Sequence, residues 1–108
     1  MGQFKEEKNL YDVIFLNDEE LGILKQSPSR GSRPCVVIEI EEDYAKVATL
    51  SSRDSFDHSS YRLSFNSYIS LQHIEKFEIT IPMLDYAQLD DNKILDNADI
   101  VIIEQYYR

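Results

Sequence analysis

The chain reads as a mainly β domain (β-rich α+β), a small SH3-like antiparallel barrel or bent sheet with a C-terminal helix. Three observations point there. Short runs rich in β-branched and aromatic residues, such as Tyr11 to Leu16 and Cys35 to Ile40, recur along the first three quarters of the chain. Segments of turn formers separate them, as in Ser27-Pro28-Ser29-Arg30-Gly31-Ser32. Only near the end, at Ile94, Leu95, Ala98, Val101 and Ile102, do apolar residues take the three-and-four spacing of a helix face.

Taken in order, Tyr11-Asp12-Val13-Ile14-Phe15-Leu16 predicts a first strand buried on both sides or nearly so. Asn17 to Ser32 reads as a long surface loop. Pro34 suits the first residue of a strand, where a missing donor is tolerated, and Cys35 to Ile40 continue it. Glu41-Glu42-Asp43-Tyr44 supplies a polar turn, and Ala45 to Leu50 returns as a half-buried strand, closing a hairpin. Ser51 to Ser60 is a second exposed loop. Tyr61 to Ser64, Asn66 to Leu71 and Ile74 to Ile81 predict further short strands, ended by Pro82. In the tail, Asp90 or Asp91 is a candidate helix cap. The β-branched run Ile100-Val101-Ile102-Ile103 competes with the helix, which is the favoured reading for residues 98–106.

A length of 108 residues allows one hydrophobic core and predicts a single domain over residues 1–108. With 43% hydrophobic residues the chain exceeds the composition of disordered proteins. No apolar run approaches the roughly 20 residues that cross a bilayer, and the start lacks a signal peptide's apolar stretch. The expectation is therefore a cytoplasmic protein with no membrane partner. The lone cysteine, Cys35, rules out an internal disulfide, and its place in an apolar run predicts a core residue.

Charge sets the main tension. Twenty acids against 11 basic residues give a net charge of -9, which opposes generic nucleic-acid binding. The distribution is uneven, however. Lys25, Arg30 and Arg33 follow one another with no acid between them, whereas Asp85, Asp90, Asp91, Asp96 and Asp99 crowd the last quarter. A basic pocket on an acidic body is compatible with this pattern.

Two segments carry candidate chemistry. Gly31-Ser32-Arg33-Pro34 leads an arginine into a strand, and Ala48-Thr49-Leu50-Ser51-Ser52-Arg53 ends the next strand in hydroxyls and another arginine. Set face to face across a hairpin, these ends would bring guanidinium and hydroxyl groups together, the minimum needed to hold a phosphodiester. The bland alternatives are a surface ion pair of Arg33 with Glu39 or Asp12, and a simple turn role for Ser51. Phosphate-cradling glycine loops, metal-ligand spacings and recognisable Ser-His-Asp contexts are absent from the sequence, so no metal and no cofactor is expected.

With Tyr11-Asp12-Val13, Gly31-Ser32-Arg33-Pro34, Ala48 to Ser52 and Asn66 to Ile74 in this order, the chain resembles the PemK/MazF family of ribonuclease toxins over residues 11–77. Three positions depart from the family's pattern: Tyr11 replaces a glycine, Thr49 a proline and Ser51 a threonine. The resemblance implies an SH3-like barrel and a metal-independent endoribonuclease toxin (an mRNA interferase). Such an enzyme cuts single-stranded RNA by 2′-hydroxyl attack, works as a homodimer and is neutralised by an antitoxin protein.

By that resemblance Arg33 matches the catalytic arginine and Ser51 the active-site threonine. Arg30, Ser52, Arg53 and His58 are candidate substrate-binding residues around them. His58 is the most available group titrating near neutral pH, and His73 is a weaker candidate. Tyr61 and Tyr68 are candidates for base stacking. The competing reading is a non-enzymatic acidic protein-binding or inhibitor module, a nucleic-acid mimic on the same SH3-like fold. It would occupy another protein's basic groove through Asp85, Asp90, Asp91, Asp96 and Asp99.

Overall fold

The computed structural model describes residues 7–22, 32–51, 60–65, 67–70 and 76–107. The elements run β1 (Val13–Asn17), α1 (Asp18–Leu21), β2 (Ser32–Ile40), β3 (Tyr44–Thr49), β4 (Ser60–Arg62), β5 (Tyr68–Ser70), β6 (Phe77–Thr80), α2 (Ile81–Tyr86), β7 (Gln88–Leu89) and α3 (Asn97–Tyr107). An antiparallel five-stranded sheet has the order β6-β3-β2-β1-β7, and β4 and β5 form a separate pair. Ser51, one residue past Leu50, bridges to Tyr68 and links the two. Among the described residues the strands make a mainly β, antiparallel arrangement with a C-terminal helix, and they do not close into the expected SH3-like barrel.

Both faces of the large sheet are buried, because successive side chains of a strand alternate between them. Val36 and Ile38 of β2 join Val13, Ala48, Leu50, Leu63, Ile69, Leu95 and Ile103 under α3 and the β4–β5 pair. Cys35 and Val37 join Ile14, Leu16, Leu21, Val47, Ile79 and Leu84 under α1 and α2. Cys35 is thus a core residue, as its apolar setting predicted. The expected half-buried alternation of residues 45–50 is corrected: Val47 and Ala48 are both buried because each face of β3 has a cover.

The three helices among the described residues start with one device. Leu16, Ile79 and Leu95 precede the capping residues Asn17, Thr80 and Asp96, and Leu21, Leu84 and Ile100 follow five residues later in the same core cluster as their partners. This is a hydrophobic staple around an N-cap. At α1, the Glu20 N–H donates to Asn17 Oδ1 at 2.7 Å and the Asn17 N–H donates to Glu20 Oε1 at 3.0 Å. Gly22, at φ 74°, ends the helix with its N–H on the Glu19 carbonyl at 3.0 Å. The expected loop from Asn17 therefore begins with a capped helical turn, and residues 23–31 lie outside the described set.

Other expectations are also revised. Pro34 is the third residue of β2, not the first. Its carbonyl accepts the Leu50 N–H at 2.9 Å, and the donor it lacks faces the point where the chain of β3 leaves the sheet, so the sheet loses little. Pro82 does not merely stop a strand; it lies in the first turn of α2, behind Thr80, whose Oγ1 accepts the Met83 N–H at 3.2 Å. Residues 98–106 are helical, but the cap is Asp96 rather than Asp90 or Asp91. The buried face accordingly includes Asp99 and Ile103, while Ile94 is 76% and Val101 62% exposed. Among the described residues no helix is long and apolar enough to cross a membrane.

Candidate functional site

Arg33 lies near the start of β2, across from Leu16 of β1. In the β2–β3 hairpin Cys35 stands across from Thr49. Continued by two residues through the Leu50–Pro34 hydrogen bond, that register sets Ser51 across from Arg33. Residues directly opposed in an antiparallel pair project from the same face. The two segments that the sequence marked out thus meet at one corner of the sheet, on the side away from α3.

The row extends further. Ser51 and Tyr68 exchange both backbone hydrogen bonds, with the Ser51 N–H on the Tyr68 carbonyl at 2.9 Å and the Tyr68 N–H on the Ser51 carbonyl at 2.7 Å. Tyr68 in turn stands across from Arg62 of β4. Their neighbours Leu50, Ile69 and Leu63 enter the core beneath α3, so Ser51, Tyr68 and Arg62 project the other way. Arg33, Ser51, Tyr68 and Arg62 form one cross-strand row, on the order of 14 Å long at about 4.8 Å per strand step. Arg62 is exposed and the other three are half-buried.

This arrangement has definite chemical capacity. A guanidinium fork can hold two phosphate oxygens at once, a hydroxyl can donate to a third, and a phenol ring offers a face on which a base can stack. A second guanidinium beyond the ring is placed for a neighbouring phosphate. Arg62 was not legible as part of the site, because nothing in Tyr61-Arg62-Leu63 shows which residue it will face. Arg30, Ser52, Arg53, His58 and His73 lie outside the described residues.

The two acids expected as ion-pair partners of Arg33 have neighbours of their own. Asp12 Oδ2 accepts the Asn9 N–H at 2.7 Å in the turn before β1, and Glu39 stands across from Lys46 at the other end of β2. Tyr61, the other stacking candidate, is committed elsewhere: its hydroxyl donates to Asp99 Oδ1 at 3.3 Å. Burial first, and then the Asp99 carboxylate, push its pKa upward.

The acidic last quarter is largely turned to internal use. Asp99 is 2% and Asp90 6% exposed. Asp99 Oδ2 accepts the Ser64 N–H at 3.0 Å, and Asp90 Oδ2 pairs with Lys93 Nζ at 2.9 Å. Asp91 and Asp96 are exposed, and Asp96 caps α3. Of the five carboxylates, those of Asp90 and Asp99 are thus buried, whereas Asp91 and Asp96 are exposed.

Comparison with protein-family models, with curated proteins and with solved structures finds no match to this chain.

Proposed function

We propose that this chain is a metal-independent endoribonuclease toxin of the PemK/MazF kind, cleaving single-stranded RNA in the cytoplasm. The observation that carries the reading is the register that sets Ser51 across from Arg33, with Tyr68 and Arg62 continuing the row. In the proposed reaction a ribose 2′-oxygen bonds to the adjacent phosphorus and the bond to the 5′-oxygen breaks, leaving a 2′,3′-cyclic phosphate and a 5′-hydroxyl. The proton leaves the 2′-hydroxyl for a base, with His58 as the candidate, and a proton returns to the departing 5′-oxygen. Arg33 stabilises the charge that builds on the phosphorane, and Ser51 positions the phosphate. The homodimer and the antitoxin belong to the same proposal.

A second feature supports it. The family's pattern has a glycine where this chain has Tyr11, and Tyr11 adopts φ 69°, a conformation that favours glycine. The Tyr11 N–H donates to the Val37 carbonyl at 2.7 Å, and the Val37 N–H donates to the Asp12 carbonyl at 2.9 Å. Two residues thus oppose one, in a bulge of the kind whose first position is usually glycine.

The test is incubation of purified protein with end-labelled single-stranded RNA in EDTA. Wild type should yield fragments with cyclic-phosphate ends, and Arg33→Ala should cut at least about a hundredfold more slowly, as for loss of a charge-stabilising donor. Absence of cleavage across varied sequences, or equal rates for both proteins, overturns the assignment.

A further inference from the structure

On the other side of the sheet from Arg33, beneath the Asn9–Asp12 turn, a cavity of about 280 Å³ opens between β1, the segment following β7, and α3. Val13 and Leu95 of the core line it. Two large apolar residues among its lining, Leu10 and Ile94, are 39% and 76% exposed. An exposed isoleucine beside an apolar cavity is the arrangement of a docking surface rather than of a closed core.

Charge narrows the occupant. Asp12, Asp90 and Asp91 also line the cavity, against a single cation among the described residues, Lys93. Lys93 Nζ is held by Asp90 Oδ2 at 2.9 Å, which leaves the carboxylates of Asp12 and Asp91 uncompensated by it. Two such charges repel phosphate, so the pocket is unsuited to the RNA proposed for the opposite face. A cavity of about 280 Å³ has room for one large side chain.

We propose that this pocket anchors a linear segment of a partner protein through one large apolar side chain flanked by lysine or arginine. The apolar side chain covers Val13 and Leu95 while the flanking cations meet Asp12 and Asp91. The inference does not rest on the ribonuclease reading, because none of its residues belongs to the Arg33 row.

Methyl NMR of the intact protein tests it, with the capped tripeptides Lys-Phe-Lys and Glu-Phe-Glu as probes. Lys-Phe-Lys should shift the Val13 and Leu95 methyls saturably, and Glu-Phe-Glu should bind at least about tenfold more weakly, as expected for two exposed charge pairs. Asp91→Lys, at an exposed position, should leave the free protein's spectrum otherwise unchanged and narrow the difference between the peptides. Equal binding of the two peptides, or no saturable shift at these methyls, overturns the proposal. So does movement of the same methyls on adding single-stranded RNA, or on raising the protein concentration alone, since either names a different occupant.

Discussion

Asp96 and Asp99 each accept the other's backbone N–H, at 2.9 Å to Asp96 Oδ1 and 3.4 Å to Asp99 Oδ2, and so cap α3 reciprocally. Asp99 also receives the Ser64 N–H and the Tyr61 hydroxyl, so one buried carboxylate ties the helix start to the β4–β5 pair. Its negative charge lies at the positive end of the helix dipole. Asp99→Ala removes the acceptor that these three part-buried donors share and should destabilise the fold by about 2 kcal/mol. Asp99→Asn can still accept from both backbone groups and should cost about 1 kcal/mol. Urea unfolding of the two variants checks the order; equal losses would mean that the carboxylate's acceptor role is not what stabilises the helix start.

The same contact sets an alkaline limit. The Tyr61 pKa in the folded protein is raised above the ordinary 10.0 by burial and then by Asp99. The folded state therefore holds this proton more tightly than the unfolded chain does. Its contribution to stability is fully present below pH 10 and is lost as pH rises from there through the raised value. Asp99→Asn removes the charge but not the burial, so the Tyr61 pKa should fall part of the way back. Seven tyrosines would overlap in bulk absorbance, so residue-resolved NMR titration is the appropriate measurement.

Tyr11 offers a backbone test. Its ring packs against the core under α3, but its φ of 69° strains any side chain with a Cβ. Tyr11→Ala loses the ring and keeps the strain, whereas Tyr11→Gly loses the ring and relieves it. Glycine should therefore be the more stable of the two by about 1 kcal/mol, reversing the usual order set by unfolded-chain entropy. Denaturant midpoints decide it, and a more stable alanine variant would rule out the strained bulge.

What could be read from the residues alone follows a physical line. The β2–β3 hairpin, the core position of Cys35 and the short β4 and β5 strands are local patterns of burial and turn chemistry, and each is legible within a dozen residues. The helix starts were legible too, since Leu16-Asn17 with Glu20-Leu21, and Leu95-Asp96 with Asp99-Ile100, spell a staple around a cap. Two stronger signals compete with them. The turn formers of residues 27–32 make the whole of Asn17 to Ser32 read as loop, and apolar spacing alone selects a face containing Ile94 and Val101. Spacing detects a period but not where the cap begins it. The Ser51–Tyr68 bridge joins residues 17 positions apart, and no local pattern specifies such a register. Arg62 could not be assigned to the row without it.

That dependence makes Arg62 the sharpest probe of the row as an RNA-binding surface. It faces Tyr68 but stands two strand steps from Ser51 and three from Arg33, so it is placed to hold a flanking phosphate rather than the reacting one. Removing such a contact weakens ground state and transition state alike. Arg62→Ala should thus raise KM by about five- to tenfold with little change in kcat, and should lower the slope of log affinity against log salt by about 0.7, the value for one phosphate of a single strand. Arg62→Lys should restore the salt slope while recovering only part of the affinity, because lysine supplies the charge without the planar fork. Arg33→Ala, by contrast, should lower kcat. If the Arg62 variants change kcat instead, or leave the salt slope untouched, the residue does not hold a flanking phosphate, and the row from Arg33 to Arg62 is not the path of the RNA strand.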